Sequence, residues 1–166
     1  MKQANRPTPE RRDRLLRENV HDPYQTRAKP AEPSACPDCG AVYHKGGWRW
    51  RTAPADAAEV VCPACHRIRD GYPAGTVTLT GAAYLARHGQ EIRNLMRNLE
   101  AAEKERHPLQ RIMAIADTDD GLTVTTTDVH LPRRIGQALH RAHKGDVDTH
   151  YDEEGYFIRV DWQAPA

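Results

Sequence analysis

The chain has 166 residues, of which 39% are hydrophobic and 28% are charged, and its 24 Lys and Arg nearly balance 23 Asp and Glu, for a formal net charge of +1. The mean hydropathy is −0.79, and no apolar run approaches the roughly 20 residues that a membrane-spanning helix requires. The first residues lack the apolar core of a signal peptide. We therefore expect a cytoplasmic protein that does not bind a membrane.

The near-neutral total hides a change of charge along the chain. Residues 1–30 carry a net charge of +4, and residues 117–166 carry −5. Arginine, which binds phosphate in a bidentate manner and stacks on bases, accounts for 19 of the 24 basic residues. This distribution is compatible with an RNA partner, although the acidic end opposes indiscriminate binding to polyanions. An arginine-rich composition inherited from a GC-biased genome is the alternative.

Residues 1–35 are predicted to form a disordered basic arm. The segment holds five prolines and few apolar residues, so it cannot bury a core of its own. Such an arm can fold onto RNA. A solvated tail without a partner has equal weight.

The four cysteines occur as two C-x-x-C pairs, Cys36 with Cys39 and Cys62 with Cys65. Two such pairs complete a tetrahedral site for one structural Zn²⁺, with no open coordination position. Gly40 suits the positive φ of the first turn. A cytoplasmic location argues against disulfides, and a redox C-x-x-C normally occurs once, at the start of a helix. We predict a zinc ribbon over residues 36–80, with a hairpin between the two pairs.

Aromatic and basic side chains alternate in and after this hairpin. Exposed aromatics can stack on unpaired bases while neighbouring cations meet phosphate. Packing of the tryptophans against a neighbouring part of the protein is the alternative. The predicted RNA contacts are Tyr43, Lys45, Trp48, Arg49, Trp50, Arg51, Arg67 and Arg69, with the last two on one side of a predicted strand.

The remainder of the chain predicts an α+β fold. Apolar residues at spacings of three and four predict linking helices over residues 81–108, with a break at Gly89. Residues 109–166 follow the order β-β-α-β-β, which predicts an antiparallel sheet covered on one face by a helix that Asp128 caps. Three histidines of that helix, His130, His140 and His143, are interpreted as surface residues rather than a metal site.

Catalytic patterns are missing from the sequence. It contains no nucleophile elbow, phosphate loop or paired catalytic carboxylates, its single serine is Ser34, and its cysteines are assigned to zinc. We therefore expect neither catalytic activity nor a small-molecule substrate.

Two sequence blocks carry a resemblance to known families. The doubled block Cys36-Pro-Asp-Cys39-Gly40 and Cys62-Pro-Ala-Cys65-His66, with the segments GLTVTTT and RRIGQAL that follow it, resembles a group of small bacterial zinc-ribbon proteins. It is distantly similar to the zinc-binding N-terminal part of the large-ribosomal-subunit export adaptor family, whose members bind the 60S subunit. The resemblance implies Cys36, Cys39, Cys62 and Cys65 as zinc ligands and a ribosome as partner.

These observations lead to one main hypothesis. The protein is expected to bind zinc and to associate with rRNA or the ribosome, in assembly, quality control or dormancy, with a ribosomal protein as a further possible partner. A protein-interaction or transcription-associated module without direct RNA binding is the alternative.

Overall fold

The computed structural model describes Tyr24 and residues 29–166, which form nine strands and three helices. The strands are β1 (Ser34–Ala35), β2 (Val42–His44), β3 (Gly47–Arg49), β4 (Ala58–Glu59), β5 (Gly75–Thr80), β6 (Ile112–Thr118), β7 (Gly121–Thr126), β8 (Asp146–Tyr151) and β9 (Ile158–Gln163). The helices are α1 (Pro63–Asp70), α2 (Ala82–Arg106) and α3 (His130–His143). The predicted α+β class is confirmed. None of these helices is both long and apolar enough to cross a membrane.

A small four-stranded sheet, in the order β3-β2-β1-β4, occupies the first part of the described chain. The predicted hairpin is confirmed as β2 and β3, whose turn places Lys45 and Gly46 at positive φ. Strand β1 lies within the predicted arm, so the end of that arm belongs to the sheet. Most of the arm lies outside the described residues. We call β1–β4 with α1 the four-stranded region.

The second sheet has five strands in the order β6-β7-β5-β9-β8. Its central strand β5 is antiparallel to β7 and parallel to β9, so the prediction of a purely antiparallel sheet is wrong. The difference arises because β5, within the segment predicted as zinc ribbon, belongs to this sheet. Its alternation of buried Val77 and Leu79 with threonines is the pattern of a strand buried on one face. We call β5–β9 with α2 and α3 the five-stranded region.

Helix α2 runs without interruption through Gly89, so the predicted break is wrong. A single glycine inside a helix costs about 1 kcal/mol relative to alanine. The buried side chains of Leu85, Ile92 and Met96 on either side of Gly89 offset this cost by packing against the sheet.

Helix α3 lies against the same face of the sheet. Its predicted cap is confirmed, because the Asp128 carboxylate accepts hydrogen bonds from the backbone N–H of His130 and of Leu131, both at 3.1 Å. A Cβ at Gly136 would lie 2.8 Å from Val160, so a glycine permits the close approach of α3 to β9. The core of the five-stranded region consists of Val77, Leu79, Leu85, Ile92, Met96, Leu122, Val124, Leu131, Ile135, Leu139, Ile158, Val160 and Trp162.

Candidate metal centre

The first cysteine pair lies in the turn that joins β1 to β2. The N–H of Gly40 donates to the carbonyl of Cys36 at 2.9 Å, and Gly40 has the predicted positive φ of +80°. The N–H of Cys36 in turn donates to the carbonyl of Ala41 at 2.8 Å. These local bonds close the turn so that Cys36 and Cys39 face the same point.

The second cysteine pair starts helix α1. Cys62 is the N-cap residue, and its sulfur accepts a hydrogen bond from the N–H of Cys65 at 3.4 Å. Pro63 fits the first helical position because its missing N–H would have no helical partner there. Arg67 and Arg69 therefore belong to α1, and the prediction of a strand for this segment is wrong.

The four sulfur atoms fit a tetrahedral metal ion. All four lie within 4.8 Å of one another, and the sulfurs of Cys39 and Cys62 are 3.8 Å apart. Zinc–sulfur bonds of about 2.3 Å in tetrahedral geometry place two sulfurs about 3.8 Å apart. The cysteines Cys36, Cys39, Cys62 and Cys65 can thus hold one metal ion, as predicted, and they leave no position for a reactant.

Burial opposes ionisation of these thiols. It raises the pKa of Cys62 and of Cys65 above the ordinary thiol value. Burial acts in the same direction at Cys36, but backbone N–H groups, first that of Cys62, outweigh it and lower the pKa to about 7. Because metals bind the thiolate form, such a buried group needs cations close by.

One cation that sequence reasoning missed lies against the sulfurs. The guanidinium of Arg111 donates from Nη1 to the sulfur of Cys65 and from Nη2 to that of Cys39, both at 3.2 Å. A third contact joins Nη2 to the sulfur of Cys62 at 3.6 Å. The Arg111 side chain is buried, and its Nε donates to the carbonyl of Pro108 at 2.8 Å. No local pattern separates Arg111 from the other arginines of the chain.

Arg111 has a clear electrostatic role. Four thiolates around a divalent ion carry two excess negative charges, which are costly to bury. Arg111 cancels one of them. Burial lowers the pKa of Arg111, but hydrogen bonds to Cys65 and Cys39 outweigh it, so the net shift is upward and the cation is retained.

Two of the predicted RNA contacts are buried. Tyr43 lies inside the four-stranded region, with its ring edge-on to Trp48 at a centroid distance of 5.5 Å. Arg67 is also buried; it donates to the carbonyl of Tyr72 at 3.2 Å and lies over the Tyr24 ring at 4.4 Å. Trp48 is half-buried against the cysteines. Tyr43 and Trp48 thus contact each other within the four-stranded region, which differs from the alternative of tryptophans that pack against a neighbouring part of the protein.

The other predicted contacts lie on the surface. Lys45, Arg49 and Arg51 are exposed, and Arg69 is exposed but forms a bidentate ion pair with Asp38. Three of these cations, those of Lys45, Arg49 and Arg51, thus lie in the hairpin or directly after it. Their binding to RNA stays a prediction.

Trp50 joins the two regions. Its indole Nε1 donates to the carbonyl of Lys104 at 2.7 Å, although the side chain stays 38% exposed. One edge of the ring therefore belongs to an internal contact, while part of the ring faces solvent.

Comparison of the chain with protein-family models, with curated proteins and with solved structures finds no match. The resemblance to bacterial zinc-ribbon proteins and to the export adaptor therefore stays a prediction. The metal centre is supported by its own geometry. The expected lack of catalytic activity stays a prediction as well.

Proposed function

We propose that the protein binds one structural Zn²⁺ at its four cysteines and associates with ribosomal RNA, in ribosome assembly, quality control or dormancy. Zinc is the metal that suits four thiolates in a closed tetrahedron. The support for RNA comes from a basic surface around a partly exposed tryptophan. We call it the Trp50 surface; it consists of Arg49, Trp50, Arg51, Lys104 and Arg106.

The Trp50 surface is the main support for the proposal because it brings together cations from two distant parts of the chain. The ammonium of Lys104 lies 5.9 Å from the Trp50 ring, and Arg106 is exposed in the same turn of α2. Arg49 ends β3 and Arg51 directly follows Trp50 in the chain, and both side chains are exposed. This turn also holds Glu103 and Glu105. Glu103 is buried and paired with Arg134, so Glu105 is the one exposed carboxylate of the turn and the surface keeps a positive excess.

This arrangement suits a single-stranded segment of a folded RNA. An unpaired base can stack on the open part of the indole while arginines meet the flanking phosphates. The zinc ion holds the hairpin and so fixes the position of Arg49 relative to α2. The acidic rear of the chain limits binding to RNA that fits the surface.

The RNA proposal is tested with the double variant Arg49→Ala, Arg51→Ala. We expect loss of cosedimentation with ribosomal particles at low salt, and a salt dependence of binding to purified rRNA that is reduced by about two units of slope. The matched control is Arg87→Ala, Arg141→Ala, which removes the same charge from exposed positions; Arg87 lies about 26 Å from Lys104 along α2.

Two results would overturn this proposal. One is a wild-type protein that does not sediment with ribosomal particles at low salt. The other is an equal loss of binding in the control variant, which would mean that net charge rather than the Trp50 surface determines retention. The zinc assignment has its own test, since freshly purified protein should contain at least one equivalent of zinc, and less would contradict it.

A second surface favours the alternative function, binding of a protein without RNA. Tyr72 and Tyr151 are 57% and 51% exposed, and they border one depression. Its other lining residues are His150, Asp152, Glu153, Phe157 and Arg159. Exposed aromatics beside carboxylates suit a basic protein partner. Ribosome association that survives ribonuclease treatment and is lost in Tyr72→Ala, Tyr151→Ala would favour this alternative.

A further inference from the structure

A second group of potential metal ligands lies between the two helices of the five-stranded region. His88 and Glu91 are one turn apart on α2, and His143 is the last residue of α3. One ligand atom from each lies within 4.8 Å of the others. Among the described residues, this group and the four cysteines are the two sets of three or more ligands that are this close together.

His143 is the least ordinary member of the group. Its side chain is buried, and its Nδ1 is 3.1 Å from the hydroxyl of Tyr84. Its Nε2 is buried without a hydrogen-bond partner and lies 3.9 Å from Oε1 of Glu91. A buried nitrogen without a partner is costly. A bound ion would satisfy it, with Nδ1–H donated to Tyr84 and the Nε2 lone pair directed at the metal.

The other histidine of the group, His88, also contacts Tyr84. The ring of His88 stacks on that of Tyr84 at 4.3 Å, and its Nδ1 lies 3.6 Å from Oε2 of Glu91. The rings of Tyr84 and His143 meet edge-on at 6.0 Å. Tyr84 therefore contacts both histidines and orients them toward Glu91.

We propose that His88, Glu91 and His143 bind a second divalent transition-metal ion, for which Zn²⁺ is the best match. Nitrogen and oxygen ligands of a tetrahedral zinc are about 3.4 Å apart. The separations of 3.6 Å to Oε2 and 3.9 Å to Oε1 of Glu91 are close to this value, and a small rotation of the carboxylate would bring one oxygen toward both histidines. Side-chain exposures of 38% for His88 and 69% for Glu91 leave the remaining position open to water.

The interpretation of the three histidines of α3 as surface residues is wrong for His143, whose side chain is buried. The partners of His143 come from α2, not from its own helix. Of the histidines named with it in the sequence, His140 is directed to the carbonyl of Gly145 at 2.8 Å and His130 is exposed. Metal binding at the proposed site would tie the first half of α2 to the end of α3.

The test measures zinc stoichiometry in the full chain without a polyhistidine tag, after equilibration with Zn²⁺ and removal of free metal. We expect two equivalents in the wild type, one in His88→Ala and two in the matched histidine control His130→Ala. Alanine keeps the α2 helix intact at this partly exposed position. Added Zn²⁺ should also raise the melting temperature of protein already loaded at the cysteines, and His88→Ala should lose this rise.

Cobalt substitution separates this site from the cysteine site. The thiolate-to-cobalt charge-transfer band reports the cysteines alone, so it should be unchanged in His88→Ala. One equivalent in the wild type, with the band present, would overturn the second site and leave the cysteine site standing; His143 and Glu91 would then form only an ion pair. Equal stoichiometry in His88→Ala and His130→Ala would overturn it as well.

Discussion

The two regions of the protein are stabilised in different ways. The five-stranded region buries a continuous core that contains Trp162 and Met96 among its largest side chains. The four-stranded region buries fewer and smaller side chains: the cluster around its cysteines adds only Ala64, the other buried apolar residues are Ala41, Val42 and Tyr43, and two of its strands have two residues each. Hydrophobic burial is sufficient for the first region. We expect the second to need a bound metal ion as well, because its smaller apolar surface does less to offset the entropy of ordering the chain.

The difference has a consequence for how the regions depend on each other. Arg111, just before β6, donates to the sulfurs of the four-stranded region, so the larger region supplies part of the charge balance of the smaller one. The dependence is mutual, because the buried guanidinium of Arg111 has its acceptors at the sulfurs of Cys39 and Cys65. Trp50 adds a second link by donating to the carbonyl of Lys104.

The largest effect is expected from Cys62→Ser. This change removes a ligand of a site whose binding free energy is of the order of 10–16 kcal/mol for structural zinc. We expect loss of the metal and loss of hydrogen-exchange protection in β1, β2 and α1, while the amides of β5, β7 and β9 stay protected.

The control for this change is His66→Ala, which alters an exposed residue next to the same cysteine pair. It should keep the metal and the exchange pattern. Protection that is lost equally in both regions of Cys62→Ser would contradict the separation between them.

A smaller effect, confined to the other region, is expected from Leu79→Ala. Leu79 is fully buried on the central strand, so the cavity should lower the free energy of unfolding by about 2–5 kcal/mol. Urea denaturation measures this loss, and zinc affinity should not change.

The control is Thr78→Ala, which alters a residue on the opposite face of β5. The loss of free energy of unfolding in this variant should stay below about 1 kcal/mol. Weakened zinc binding in Leu79→Ala would show that β5 supports the metal centre after all.

The smallest effect concerns the contact between the regions. Arg111→Met should lower zinc affinity about 10–100-fold, as expected when a group bonded to metal ligands is removed. Chelator competition measures it. Arg111→Lys should restore only part of the affinity, because an ammonium cannot reach three sulfurs at once.

The control is Arg69→Ala, which breaks an exposed ion pair with Asp38. The expected loss of folding free energy in this variant is about 0–1 kcal/mol. An Arg111→Met protein with unchanged affinity would mean that the cysteines alone determine metal binding.

The cysteine site was predictable because its geometry is local. A C-x-x-C pair brings two sulfurs together whatever the rest of the chain does, and the spacing of Cys36 and Cys39 is visible in the sequence. Arg111 could not be found in this way, since it lies 46 residues from Cys65 and only the folded chain brings the two together.

Other differences arose where tertiary packing outweighs local preference. Gly89 is tolerated in α2 because Leu85 and Ile92 on either side of it are buried, and one of the two strands beside β5 is β9, far along the chain. The helix that carries Arg67 had a usable signal, since Pro63 directly after Cys62 is typical of a helix start. The fold class and the metal ligands were therefore accessible from sequence, whereas the sheet order was not.

The central position of β5 determines when the five-stranded sheet can form during synthesis on the ribosome. All four cysteines precede β5, so the metal site can close early, whereas the neighbour β9 is synthesised about 78 residues later. At about 5–20 residues per second, β5 waits about 4–16 s for that neighbour. The other neighbour, β7, begins only about 41 residues after β5, so one edge of β5 can pair earlier. The sheet order thus leaves the edge that faces β9 unpaired until nearly the whole chain has been made.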